Sequence, residues 1–188
     1  MAPDFPFADY HRPEAPFSGI AIVGEAPGAS EIEQGQPFVG RSGQLLTKAL
    51  LSAGIDRRHC LVANVFRYRP PENKIKHFFG PAAAAGDKGR AWGRYSLGYV
   101  REELAPELDA LSDALKTAKV VLAVGAVPLW GLTGKTGLTS HAGEALYNRL
   151  ADAPVIATYH PAFILRGNFN LTPEWEGHMR LAASLLKA

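Results

Sequence analysis

Short apolar runs alternate with helical stripes along this chain. Four runs fit buried parallel strands, at 19–23, 61–65, 119–125 and 154–158. Between and after them, apolar residues recur at helical spacing in the segments 45–53, about 100–118, a short stretch with Pro128 in its first turn, and about 173–187. Strands that alternate with helices predict an α/β fold, in which helices cover both faces of a parallel sheet.

The connection between the first strand and the first helix is unusually long. It takes up roughly twenty residues, against about 2–6 in an ordinary connection of this kind, and contains five glycines and two prolines. Loops of this length are usually functional, and open α/β folds bind ligands at the carboxyl edge of the sheet, where this loop begins. We therefore expect a binding site here, although an elaborate surface loop would give the same pattern.

Composition places the chain among ordinary globular proteins. Its 188 residues, 47% of them hydrophobic and 20% charged, predict one domain over residues 1–188. No apolar run reaches the ~20 residues of a membrane helix. Residues 1–17 hold four of the fourteen prolines and lack the basic start and apolar centre of a signal peptide. We expect a loosely held, extended leader and a cytoplasmic protein.

Two further features bear on chemistry. The one cysteine, Cys60, excludes an internal disulfide, cannot hold zinc or an iron–sulfur cluster alone, and is expected to be a small buried hydrophobe. The segment 72–98 breaks the alternation of strands and helices and carries five basic residues against two acidic ones, whereas the whole chain has a net charge of only +2. This basic insert is of a kind that suits phosphate groups, and Lys88, Arg90 and Arg94 are the residues that we expect to contact them.

Polar and aromatic residues stand where the predicted strands end. Glu25 follows the first strand, Asn64 the second and His160 the fourth, and Phe38 lies in the long loop. A carboxylate, an amide, an imidazole and an aromatic face suit a flat, polar, uncharged ring better than a phosphate. Each residue also has a structural alternative: Asn64 could satisfy loop backbone groups, Phe38 could be core, and Glu25 and His160 could cap turns.

Three segments resemble the family 4 uracil-DNA glycosylases. They are Gly24 to Gly28 with Gly35 to Leu46, then Asn64 to Asn73, and finally Thr158 to Arg166. The resemblance implies a three-layer αβα sandwich on a four-stranded parallel sheet. It also implies a DNA repair enzyme that hydrolyses the glycosidic bond of uracil in single- or double-stranded DNA and leaves an abasic site. We expect a monomer with no membrane partner.

Transferred to matching positions, the resemblance also implies roles. Phe38 would stack on uracil, Asn64 would read its Watson–Crick edge, His160 would bind its O2 side, and Ala26 and Gly28 would line the uracil pocket. DNA contacts would come from the first motif and from the loop after His160, at Arg41, Ser42, Gly43, Phe163, Leu165 and Arg166.

The departures from the family are as informative. Family 4 enzymes usually hold a [4Fe–4S] cluster on four cysteines, one of them where Tyr68 stands here, so we expect no metal and no cofactor. The basic insert lies where part of the cluster framework would be. The aspartate that activates water in family 1 is replaced by Ala26, which leaves Glu25 or Glu31 as the base. Glu25 is favoured because it is next to the strand end.

Alternative functions also fit the sequence. One is a protein that traps uracil-DNA covalently through His77 in the basic insert. Another is a glycosylase that prefers hypoxanthine or xanthine. A nucleotide-binding protein without a role on DNA is disfavoured, since the first loop lacks the glycine patterns of dinucleotide and triphosphate sites.

Overall fold

The strand Ile20–Gly24 (β1) explains the layered architecture. Ile20 and Ile22 face one hydrophobic layer, while Ala21 and Val23 face the other. All four side chains are almost fully buried. A strand that is buried on both faces needs continuous apolar sequence rather than alternation, and this is the pattern of β1.

The computed structural model describes residues 3–187. Its remaining strands, in chain order, are Leu61–Asn64 (β2), Phe79–Gly80 (β3), Tyr99–Val100 (β4), Val120–Val124 (β5), Ala145–Leu146 (β6) and Val155–Thr158 (β7). The main sheet has the order β2-β1-β5-β7-β6, and its first four strands are parallel. The short β6 is antiparallel to β7, and β3 pairs with β4 in a separate two-stranded sheet.

Helices cover both faces of the main sheet. The α-helices are Ala29–Gln34 (α1), Arg41–Ser52 (α2), Gly86–Ala91 (α3), Pro106–Leu115 (α4), Ala126–Thr133 (α5), Leu138–His141 (α6), Pro161–Leu165 (α7) and Thr172–Leu185 (α8). Short 3₁₀ helices occupy Arg57–His59, Pro71–Asn73, Ile75–Phe78, Ala82–Ala84, Glu102–Leu104 and Phe169–Leu171. Leucines of α4 and Trp130 of α5 pack on one face of the sheet, and α2 and α8 pack on the other. None of these helices is long and apolar enough to span a bilayer.

The predicted three-layer α/β fold is confirmed, with differences at the margins. The four predicted parallel strands are present, and β6 adds a fifth strand to the sheet. The sequence did not predict β6, because it has only two residues and lies in a turn-rich segment. The long first loop contains α1, and α2 begins at Arg41. The helix expected from about residue 100 begins at Pro106, because β4 and a 3₁₀ turn precede it and proline is suited to a first helical turn.

The leader is not loosely held, so that expectation was wrong. It runs antiparallel to the outer edge of β2: His11 and Val62 exchange two backbone hydrogen bonds of 2.8 and 3.0 Å. The amide of Ala8 donates to the carbonyl of Arg67, and the amide of Arg69 donates to the carbonyl of Pro6. The leader therefore covers the polar edge that β2 would otherwise expose.

The basic insert packs on the core instead of forming a solvated loop. Phe78 and Phe79 are buried, and Tyr95 lies between Phe79 and Trp130, with ring centroids 5.1 and 5.4 Å away. Arg149 donates to the carbonyls of Trp92, Trp130 and Gly131, which ties the insert to α5. Cys60 is fully buried, as predicted, and burial raises the pKa of its thiol.

An ion pair joins the leader, β2 and α4. The guanidinium of Arg67 donates to both carboxylate oxygens of Glu107 at 3.0 Å, and the Arg67 amide donates to the same carboxylate. Glu107 is only 4% exposed. The guanidinium also lies over the rings of Phe7 and Tyr10 at 5.1 Å, and its pKa is raised by Glu107. The planar fork of arginine matches this two-oxygen partner.

We predict that Glu107→Ala lowers the free energy of unfolding by about 3 kcal/mol, since it leaves a largely buried guanidinium with only the longer contact to the exposed Asp9, at 3.4 Å. Urea unfolding measures this. The matched control is Asp109→Ala on the same helix, whose exposed carboxylate lies 3.8 Å from Lys88 and should contribute less than about 1 kcal/mol. Equal losses in the two variants would refute the assignment.

Candidate active site

Most of the predicted residues meet in one cavity at the carboxyl edge of the sheet. The cavity has a volume of about 500 Å³. Of the residues expected in the site, it is lined by Glu25, Ala26, Gly28, Glu31, Phe38, Ser42, Asn64, His160, Phe163 and Arg166. The ends of β1 and β2 and the loop after β7 supply the central side chains, as the topology predicts.

Gly24 makes the centre of this cavity possible. It pairs in register with Asn64 on the neighbouring strand. A Cβ at position 24 would lie 2.4 Å from Asn64 Oδ1 and 2.6 Å from Phe38 Cζ. Only glycine therefore lets the amide and the aromatic ring approach the same strand end.

The Asn64 side chain is free to bind a ligand. It is only 6% exposed, so the side chain is buried at the carboxyl edge of the sheet. Within residues 3–187, no protein group hydrogen-bonds to its amide, although it lines the cavity. The alternative that Asn64 satisfies loop backbone groups is wrong. A buried amide with its donor and acceptor both unused favours a polar ligand.

Phe38 is held in an uncommon backbone conformation. Its φ is +55°, in the left-handed region that residues other than glycine rarely adopt. Its ring is 7% exposed and lies 6.0 Å from the His160 ring, centroid to centroid, at an interplanar angle of 29°. The rings of Phe38 and His160 therefore lie roughly parallel in the same cavity.

Two other predicted site residues, Glu31 and Gly43, help to fix the loop around Phe38. Glu31 Oε1 accepts a hydrogen bond of 3.3 Å from the amide of Val39. Gly43 lies beneath the Phe38 carbonyl, whose oxygen would be 1.7 Å from a Cβ at position 43. Gly43 does not line the cavity, and its structural task is this close approach of α2 to the loop.

His160 has a fixed tautomer. Its Nδ1 accepts a 3.1 Å hydrogen bond from the amide of Ala162 at the start of α7, so the capping alternative is correct as well. Because Nδ1 is an acceptor, the ring proton of the neutral form is on Nε2. Burial, helped by the charge of Arg166, lowers the pKa of His160 to about 4. At neutral pH the cavity therefore receives an uncharged Nε2–H donor.

Glu25 is a carboxylate without a fixed partner. Within the described part of the chain, neither a hydrogen bond nor an ion pair engages its side chain. Burial raises its pKa, because the charged form is deprived of water. A raised pKa and an unused carboxylate are the properties of a general base.

Other predicted residues lie outside the cavity. Arg41 and Arg94 are exposed, Lys88 pairs with Asp109, Arg90 pairs with Asp87, and Leu165 is half-buried on α7. His77 does not line the cavity, and its Nε2 is buried with no hydrogen-bond partner among residues 3–187. Sequence reasoning gave no role to the residues that complete the wall, which are Pro70, Asn73, Val124, Gly125, Ala126 and Ala162. Pro70 and Asn73 could have been found, since they belong to the second motif.

The residues present do not fit an iron–sulfur cluster. No group of three or more His, Cys, Asp or Glu side chains suited to a metal occurs between residues 3 and 187. At the position where the family resemblance implies a cysteine, the ring of Tyr68 packs edge-on against Phe7, with centroids 5.2 Å apart. Cluster chemistry therefore has no place in the site.

Comparison with known proteins agrees with this geometry. The model of the uracil DNA glycosylase superfamily matches residues 12–181. The type-4 uracil-DNA glycosylase of Pyrobaculum aerophilum is 35% identical over 157 residues, which cover 79% of this chain and 68% of that protein. The type-4 enzyme of Thermotoga maritima is 33% identical over 153 residues, covering 80% and 68%. This chain belongs to the uracil-DNA glycosylase superfamily.

Proposed function

We propose that this protein hydrolyses the N-glycosidic bond of uracil in DNA, releasing uracil and leaving an abasic site. One observation carries the proposal: an unpaired amide, an aromatic face and an uncharged imidazole donor converge on one buried cavity. The names of its relatives, type-4 uracil-DNA glycosylases, support the same substrate.

Recognition of uracil would depend on Asn64 and Phe38. The amide oxygen accepts from uracil N3–H, and the amide nitrogen donates to O4. Cytosine presents the opposite pattern at these two atoms, so it would leave the buried amide unsatisfied. Stacking on Phe38 fixes the plane of the base while tolerating any base, and the amide supplies the discrimination.

His160 would stabilise the leaving group. The bond between C1′ and uracil N1 breaks with its electron pair moving to uracil, and negative charge gathers on O2. A donor aimed at the developing charge lowers the barrier most when it is already in place. The Ala162 amide holds the imidazole so that Nε2–H is the free donor. Because the ring is neutral, it donates without first having to gain a proton.

Glu25 would orient and deprotonate the attacking water. The water oxygen bonds to C1′ as uracil leaves, and its proton moves to the carboxylate. Glu31 is already engaged by the Val39 amide, whereas Glu25 has no such partner. The contacts therefore support our preference for Glu25 over Glu31 as the base.

The target base must leave the DNA stack to reach a buried cavity. Phe163 is 42% exposed at the cavity wall and could occupy the space left by the base, and the exposed Arg166 beside it could contact a phosphate. Lys88, Arg90 and Arg94 would add phosphate contacts away from the cavity, which carry affinity but no sequence information. The buried Nε2 of His77 favours hydrolysis over covalent trapping.

Incubation with labelled oligonucleotides tests the activity. Uracil in single strands and in U·G and U·A pairs should be released as the free base, with alkali-labile sites left behind, and a chelator should have no effect. Parallel substrates carry thymine, hypoxanthine or xanthine. Release of hypoxanthine or xanthine without uracil, or a covalent complex lost in His77→Ala, would contradict the proposal.

Asn64→Ala and His160→Ala should each slow single-turnover uracil release by about 10²–10³-fold, the scale of a lost transition-state donor. Stability should change little in Asn64→Ala, since that amide has no partner within the described chain. The exposed Asn170 and the distant His141, each changed to alanine, are matched controls. Rates near that of the wild type in both test variants would remove these residues from the mechanism.

Glu25→Gln should lower the single-turnover rate by about 10²-fold. It should also abolish the fall in rate at low pH, which is the acid limb of the wild-type pH–rate profile. The base must be ionised, and its pKa is raised in the folded protein, so wild-type activity should fall on acidification at a higher pH than an exposed glutamate would give. Glu31→Gln should keep the acid limb. If Glu31→Gln loses it and Glu25→Gln retains it, the two roles are reversed.

A further inference from the structure

We propose that Arg57 is a positioning residue that holds Phe38 in its stacking orientation. The proposal rests on the function proposed above and extends it to a residue outside the uracil cavity. Arg57 opens the 3₁₀ helix before β2, on the far side of the long loop from Asn64 and His160. Nothing in the motif pattern singles it out.

The guanidinium grips the loop through consecutive carbonyls. Its Nη1 donates to the Phe38 carbonyl at 2.7 Å and to Thr47 Oγ1 at 3.2 Å, and its Nη2 donates to the Pro37 carbonyl. Thr47 in turn donates to the Gly43 carbonyl at 2.9 Å. A planar fork reaches two neighbouring carbonyls at once, which a lysine ammonium on its flexible stem does less well.

The hydrogen bonds of Arg57 hold the backbone at Phe38, a residue with a strained conformation. A left-handed φ at a residue other than glycine is strained, and it persists only when surrounding contacts hold it. Arg57 fixes the carbonyl of Phe38, while Glu31 fixes the next amide from the opposite side. If the arginine contacts are lost, the peptide can rotate and carry the ring away from the cavity.

The surroundings of Arg57 indicate that its hydrogen-bonding geometry, rather than an ion pair, explains its position. Arg57 is half-buried, and burial lowers its pKa. Within residues 3–187, its charge meets neutral acceptors and no carboxylate within 4.0 Å. It lines a separate surface cavity behind the loop, with Phe38 forming the wall common to both cavities. Because Phe38 lines both cavities, we expect the effect of Arg57 on uracil to pass through the Phe38 ring.

We expect Arg57→Ala to slow single-turnover release of uracil by about 10- to 100-fold, the scale of a small misplacement at the reacting centre. Its affinity for an abasic-site duplex, measured by fluorescence anisotropy, should match that of Arg58→Ala. Arg58 is the matched control, because it carries the same charge one residue on but is exposed, and its side chain pairs with Asp56 instead of the loop.

A double-mutant cycle isolates the route of the effect. In a Phe38→Ala background, Arg57→Ala should change the rate by less than about twofold, because the side chain that it positions is gone. Equal losses in both backgrounds would overturn the proposal, as would a wild-type rate in Arg57→Ala. If that variant unfolds, Arg57→Gln, which retains one donor amide, takes its place with a smaller loss expected.

Hydrogen exchange separates this proposal from the proposed activity. Peptide amides from 36 to 44 should exchange faster in Arg57→Ala than in Arg58→Ala, whether or not uracil is released. If Arg57→Ala speeds exchange but the wild-type protein releases no uracil, the proposed function is refuted and the positioning role stands. Unchanged exchange, with uracil release intact, would refute the positioning role alone.

Discussion

The active cavity depends on the absence of a side chain at position 24. Gly24 ends a buried strand, and its missing Cβ leaves room for the Asn64 amide on one side and the Phe38 ring on the other. Gly43 has a similar role outside the cavity, where its missing Cβ lets α2 approach the Phe38 carbonyl. The proposed recognition of a flat base therefore depends on two positions that have no side chain.

Sequence alone predicted the fold well because the strands are buried on both faces and separated by clear helical stripes. It also predicted that Glu25, Asn64 and His160 meet at one edge of the sheet, since the ends of parallel strands share that edge. It could not predict the tautomer of His160, the unpaired state of Asn64 or the grip of Arg57. Those depend on hydrogen bonds between segments whose relative positions no local pattern encodes. The two residues of β6 were equally beyond reach.

The family's cluster has no ligands here, and other contacts occupy that region. Tyr68 packs on Phe7, Arg67 pairs with Glu107, and the aromatic residues of the basic insert close over α5. These contacts tie the leader, the segment after β2, α4 and α5 together through burial and a paired charge. Their strength is distributed over many weak interactions, whereas a cluster concentrates it in a few bonds to metal.

The leader has a consequence for how the chain reaches this structure. It is synthesised before β2, yet its hydrogen-bonding partners are residues of β2 and the segment just after it. Pairing between segments so distant along the chain is slow, because the intervening loop must close first. During that interval β2 is an open edge strand, and open edges recruit other chains. Once docked, residues 6–11 cover that edge with backbone hydrogen bonds, so the folded sheet does not offer β2 to another chain.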